Sequence, residues 1–398
     1  MPFELRVLTI VFAVSLQIQA TVPLDGGLRV AASDLFLPIA SVYVLLPIAF
    51  RPARLQWRMP GVVWWLLAIT AALTVALFVG HQKLGHWSMW ALINKWGGWF
   101  ALAAYFAIGT AIVRTGGVDL RNEFLRVFLI TAAVVACVNV AALPWLLPHY
   151  TLPFGVEFDR ATGGMANSNA FGFLCVVAAL LSIAITERLG YFLTPLLAAL
   201  WFSASRGALL ALVCGGLAYA VLSPRTLLLA ARPAAMAVAV IALVTGILIV
   251  VDPARLKAIQ TGHSPLGFLS TERIDFAAAT IVERGEQNAR AWDLLKDEPL
   301  LGHGLGYFVE TSGTTLHNSL LWLLLETGLI GAGVLTAFLF AAVRTLYLDR
   351  DEPFTLAMIP VAVAFMVISL TGEFLYQRHL WMLLGLALAA PPAVKGRT

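Results

Sequence analysis

The stretch 317–343, HNSLLWLLLETGLIGAGVLTAFLFAAV, decides the fold. It opens on His317 directly after the longest polar segment of the chain and then runs almost wholly apolar. A helix that crosses a membrane needs roughly 20 apolar residues. This run exceeds that length, so it is either tilted or broken at Gly328 and Gly331. Comparable runs lie at 5–22, 32–50, 61–80, 93–113, 123–147, 169–186, 189–204, 206–222, 233–251, 353–371 and 376–391. Together they amount to about twelve transmembrane spans by the hydropathy rule. Pro144 is placed to kink the fifth. The 398 residues are 60% hydrophobic and 12% charged, with mean hydropathy +0.86, whereas a soluble domain carries about 25% charged residues. The expected fold class is therefore an all-α polytopic membrane protein. A β-barrel is excluded because the runs are continuously apolar and do not alternate. The apolar start, Leu5 to Ala20, is followed at once by further spans, so it reads as a first helix and not as a cleaved signal.

Threading the spans in alternation gives a sidedness. With the N-terminus cytoplasmic, fourteen Lys and Arg residues fall in inner segments and six in the short outer ones. That bias sets both termini inside. The chain divides into helices 1–9 over residues 1–251, a large outer loop over 252–316 and helices 10–12 with a cytoplasmic C-terminus over 317–398. All seven histidines, His81, His86, His149, His263, His303, His317 and His379, then fall in loops or helix ends on the outer face. Histidine is the side chain best suited to moving protons near neutral pH. Within the loop, 271–284 and 286–297 read as two short helices broken at Gly285. Ala291, Trp292, Leu294 and Leu295 give the second an apolar side, and Pro299 to Gly306 makes a glycine-punctuated turn.

Several classes of function are set aside. Cys137, Cys175 and Cys214 all lie in apolar runs without metal-ligand spacing and read as small packing residues. The net charge of +4 is scattered among loops, which is not a nucleic-acid footprint. No paired Cys and no helical His pair suggests zinc. A serine-nucleophile elbow and a phosphate-cradling GxxxxGK[ST] run are missing. No internal repeat stands out. A transporter or flippase remains the reading from a different class, but such proteins gather polar residues near the bilayer midplane. Here they gather at one face.

The outer face carries four polar constellations. Arg206 stands in Ser203-Ala204-Ser205-Arg206-Gly207 between two spans, where Ser205 can cap the next helix. A helix start with an arginine suits a phosphate, although an arginine snorkelling to the interface is the bland alternative. Arg160 leads a run through Gly163, Gly164, Asn167, Ser168 and Asn169 into the sixth span. That run is either an anion-binding approach or an ordinary capping loop. Arg284 and Arg290 lie on the loop, where such charges also serve simple solvation. His317, followed by Asn318, opens the tenth span. Glu326, nine residues on, is about 180° round the helix and cannot orient His317 from there. Together, arginines and a histidine beside a lid-like loop suit transfer of a group carried on a lipid pyrophosphate. The arginines would neutralise the leaving group, and the histidine would take a proton from an acceptor hydroxyl.

The runs HNSLLWLLLETGLIG at 317–331, SRG at 205–207, ERGEQNARAWDLLKDEPLLGHGLGYF at 283–308 and RATGGMANSNAFG at 160–172 resemble, in their order along the chain, the O-antigen ligase and polymerase superfamily. The resemblance implies a bacterial inner-membrane enzyme of about twelve helices, similar to the GT-C glycosyltransferases, with a large periplasmic loop between helices nine and ten. It implies an O-antigen ligase, which moves a glycan from undecaprenyl pyrophosphate to a sugar hydroxyl of the lipid A–core acceptor. Inversion at the anomeric carbon follows from direct attack, and neither a metal nor another cofactor is implied. His317 matches the family's general base. Arg206 and Arg284 match the arginines that hold pyrophosphate, with Arg290 competing for the role of Arg284. Arg160, Asn167 and Asn169 match the remaining polar stretch. O-antigen polymerase is the alternative, and a protein-glycosylating relative is a third.

Overall fold

The computed structural model describes residues 3–22, 28–42, 57–142, 155–157, 160–185, 189–251 and 271–389. The helices are α1 (Phe3–Ser15), α2 (Val62–Leu84), α3 (Gly98–Ala142), α4 (Ser168–Ile185), α5 (Leu189–Phe202), α6 (Arg206–Leu222), α7 (Pro224–Leu228) and α8 (Ala231–Val251). They continue with α9 (Thr271–Asp297), α10 (Tyr307–Ser312), α11 (Ser319–Leu348), α12 (Pro353–Ser369) and α13 (Arg378–Leu388). Val62–Leu84, Ala91–Ala142, Ser168–Ile185 and Ser319–Leu348 are long and apolar enough to cross a membrane. α6, α12, α13 and most of α5 and α8 are shorter apolar helices. The outward sides of α6 and α8 present Leu210, Val213, Leu217, Val238 and Leu243, as a lipid-facing surface would. The chain is a polytopic helical membrane protein.

The interior is built round α13, whose residues from His379 to Leu388 are all buried. It packs along α3, while α12 packs on α6 and α4. Gly109 of α3 and Gly385 of α13 meet: a Cβ on Gly109 would lie 3.0 Å from the Leu386 nitrogen. Small residues let helices approach closely where lipid supplies no hydrophobic drive. Trp381 fills the space beside them, stacked on Phe338 and edge-on to Trp99.

Four sequence expectations need correction. The fold is not purely helical, because two hairpins are present: Gln19–Val22 (β1) with Leu28–Ala31 (β2), and Gly155–Glu157 (β3) with Arg160–Gly163 (β4). The first helix ends at Ser15, short of 22, since Thr21 and Val22 are β-branched and prefer a strand. Residues 271–297 form one helix through Gly285 and not two. A helical glycine costs about 1 kcal/mol, which its helix-forming neighbours Glu283, Arg284, Glu286 and Gln287 offset. Of the apolar side expected there, Ala291 and Leu295 are buried while Trp292 stays exposed. The expected spans 93–113 and 123–147 meet inside α3, where the helix is interrupted at Gly117. Pro144, His149, His263 and residues 43–50 of the span expected at 32–50 lie outside the described residues.

The break expected in the tenth span is present at Gly328, with φ 64° and ψ −173°, while Gly331 stays helical. Only glycine adopts such a backbone without strain. The polar groups released by the break do not stay bare. Leu329 and Ile330 donate to the carbonyls of Pro299 and Leu300, and Leu325 and Glu326 accept from the nitrogens of His303 and Gly304. The glycine-punctuated turn therefore docks into the broken helix, and Gly306 donates to the buried Glu326 carboxylate at 3.0 Å. Leu305 continues the contact to the Ala76 carbonyl of α2. This fixes the loop side of the molecule to the bundle.

Candidate active site

The segment from Leu370 to Gln377, between α12 and α13, is the hub of the site. Ser319 at the start of α11 donates from its hydroxyl to the Gly372 carbonyl at 2.7 Å and accepts from the Phe374 nitrogen at 2.9 Å. Asn318 caps the same helix, its side chain accepting from the Leu321 nitrogen at 3.0 Å. His317 stands exposed immediately before that cap. One residue before Gly372, the Thr371 carbonyl accepts from Arg284 at 3.4 Å. Gly207, next to Arg206, also packs on Thr371: a Cβ there would lie 3.2 Å from the threonine Cβ. One short loop thus brings the His317 helix, Arg284 and the start of α6 together.

Arg206 owes its position to its neighbours. Ala204 takes a left-handed backbone, φ 52°, which turns the chain sharply between α5 and α6. Ser205 then caps α6, accepting from the Ala208 nitrogen, and Arg206 emerges exposed in the first turn. Arg284 is half-buried on α9. Burial and then the Arg206 charge pull its guanidinium below the ordinary arginine range. Neither arginine forms an ion pair among the described residues. Two guanidinium groups close enough to repel, beside a helix N-terminus, form an electropositive site fit for an anion.

The other candidates sit elsewhere. Arg290, six residues past Arg284 and so about 240° round the helix, donates to the Thr311 carbonyl at 3.2 Å and ties α9 to α10. It does not join the arginine pair. Arg160 begins β4, opposite Glu157. Asn167 caps α4 by accepting from the Ala170 nitrogen at 2.8 Å, and Asn169 lies half-buried in the first turn. The described histidines divide by environment. His81 stacks on Trp87 with ring centroids 4.0 Å apart. His303 donates from Nε2 to the Leu294 carbonyl at 2.7 Å, a structural tie. His379 is fully buried. Among them, His317 lies two residues before Ser319, which bonds the loop that also accepts from Arg284.

Sequence reasoning missed Lys95 and Glu373. Lys95 lies in a π-helical turn, Ala91–Gly97, and is ion-paired to Glu373 of the hub loop. The rings of Trp90, Trp322 and Tyr376 surround its ammonium at 4.3–4.8 Å. A lysine inside an apolar run, and an acid in the short gap between the last two spans, were the available signals. Among the described residues, no three His, Cys, Asp or Glu side chains gather as a metal would require.

These features define a helical membrane protein with a paired-arginine site and a histidine at one end of its bundle. Residues 191–336 match the family described as O-Antigen ligase. The matched stretch runs from α5 into α11 and contains Arg206, Arg284, Arg290 and His317. No curated protein matches the chain.

Proposed function

We propose that the protein is an O-antigen ligase, a metal-independent glycosyltransferase that works at the periplasmic face of the bacterial inner membrane. The donor is a glycan on undecaprenyl pyrophosphate and the acceptor a sugar hydroxyl of lipid A–core. His317 takes the hydroxyl proton as the acceptor oxygen bonds to the anomeric carbon. The bond from that carbon to the pyrophosphate oxygen breaks, and configuration inverts. Arg206 and Arg284 hold the departing pyrophosphate, whose charge grows as the bond breaks. Arg160, Asn167, Asn169 and Asn318 support the approach, and Arg290 braces the loop segment above it.

The observation that carries this reading is the hub at Thr371 and Gly372, which joins the arginine pair to the His317 helix. The purified chain, given undecaprenyl-pyrophosphate glycan and rough lipopolysaccharide, should produce a ladder of glycosylated product. His317→Ala should abolish the ladder while the protein folds normally. An unchanged ladder from His317→Ala removes the histidine from the mechanism. Extension of the lipid-linked glycan, with no transfer to rough lipopolysaccharide, makes the protein a polymerase instead.

A further inference from the structure

A cavity of about 130 Å³ is lined in part by the hub loop. Gln19, Asn94, Lys95, Asn167, Glu373 and Gln377 supply its polar wall, and Trp90 and Tyr376 its aromatic one. Arg206, Arg284 and His317 are not among its lining residues. Thr315 is, and it lies two residues before His317.

The chemistry of the wall selects the ligand. Its two cations are already neutralised. Lys95 pairs with Glu373, and Arg378 holds Asp34 through two contacts of 2.6 and 2.7 Å. A phosphate would find no unmatched charge. What remains is a set of planar amides beside aromatic rings. Gln377 is only 7% exposed, and its amide oxygen has no hydrogen-bond partner. A buried acceptor left bare is costly, and a ligand hydroxyl would relieve that cost. Amides and a carboxylate that accept from neighbouring hydroxyls, with aromatic rings against the C–H face, are the means of holding a sugar. The cavity has room for a sugar ring.

We infer that this cavity is a subsite for a single uncharged sugar ring of the acceptor. The inference rests on the glycosyl-transfer reading for the word acceptor, but not for sugar binding itself. It also accounts for the division of the hub loop. Thr371 meets Arg284, which would hold the leaving group, while Glu373 and Gln377 line a neutral cavity.

Two variants, Gln377→Leu and Asn94→Leu, test it in the full-length protein. Each should raise the KM for rough lipopolysaccharide about tenfold. The donor KM and the melting temperature should hold. Saturation-transfer NMR with core oligosaccharide freed of lipid A gives a second readout that needs no turnover. Signal is expected with wild type, lost with Gln377→Leu, and unaffected by inorganic pyrophosphate. Sugar binding without any transferase activity would sustain the subsite and overturn the ligase reading. Turnover with unchanged acceptor KM in both variants would overturn the subsite, as would displacement of the oligosaccharide by pyrophosphate.

Discussion

The bundle carries arginines at both ends and treats them oppositely. At one end, where α12 begins, Arg58 reaches Glu352 at 3.0 Å and Asp349 at 3.5 Å. Arg121 is ion-paired to the same Glu352 and lies over the Phe354 ring. Arg58 also donates to the Ala389 carbonyl just beyond α13. At the other end, where α12 stops, Arg206 and Arg284 sit near each other without an ion pair among the described residues, Glu283 only partly offsets the charge on Arg284, and Arg284 donates to a backbone carbonyl. Seventeen residues of helix, about 25 Å, separate the two. Guanidinium groups that meet carboxylates fasten a fold. Guanidinium groups gathered without ion pairs are free to meet an anion from outside. Under the proposed function, the first end serves stability and the second the substrate.

The largest expected effect follows directly. Arg206→Ala and Arg284→Ala should each lower turnover about 10²- to 10³-fold, measured as the initial rate of the glycan ladder. Their melting temperatures should stay level or rise, because each substitution removes a like-charge repulsion. Wild-type turnover at low donor concentration would end the assignment of pyrophosphate to this pair. A sharp loss of melting temperature would make these arginines structural and erase the difference between the ends.

The opposite pattern is expected at the paired end. Glu352→Gln leaves Arg121, whose side chain is 5% exposed, without its counter-charge. Breaking a buried pair in this way costs about 3 kcal/mol, which denaturant or thermal unfolding in detergent would register. Turnover per folded molecule should not change. A variant that melts normally but loses activity would show that this end also serves catalysis.

Much of this division was legible in the sequence, and the reason lies in chain proximity. Ser205 before Arg206 and Asn318 after His317 announced helix caps, because capping needs only neighbours in the chain. Gly328 announced the break in α11. What fills that break, the turn at Pro299 to Gly304, depends on contacts across some 25 residues. The hub loop was harder to see. Thr371 and Gly372 act through backbone carbonyls, which every residue possesses, so their identities carry no signal. Gly285 misled because a glycine in a helical pattern marks a stop only when its neighbours do not favour helix. Arg284 and Arg290 looked equivalent until the continuous α9 put them on different sides.

The smallest expected effect is a dependence on acid, and it sharpens the same contrast. Burial works against the Glu352 charge, but Arg121, Thr355 and Arg58 outweigh it and hold its carboxyl below the usual carboxylate range. A folded value below the unfolded one means stability that is complete above the unfolded value, near pH 4.3. It is lost as pH falls through the folded value. The melting-temperature gap between wild type and Glu352→Gln should therefore be full near about pH 6 and shrink toward about pH 3. Arg284 is also lowered, yet an arginine starts so far above this range that it stays charged throughout it. Substitutions at Arg284 should hence show a melting-temperature difference that does not move with acid. If both ends respond alike between these limits, the paired end owes its stability to packing round Phe354, and charge does not distinguish the two.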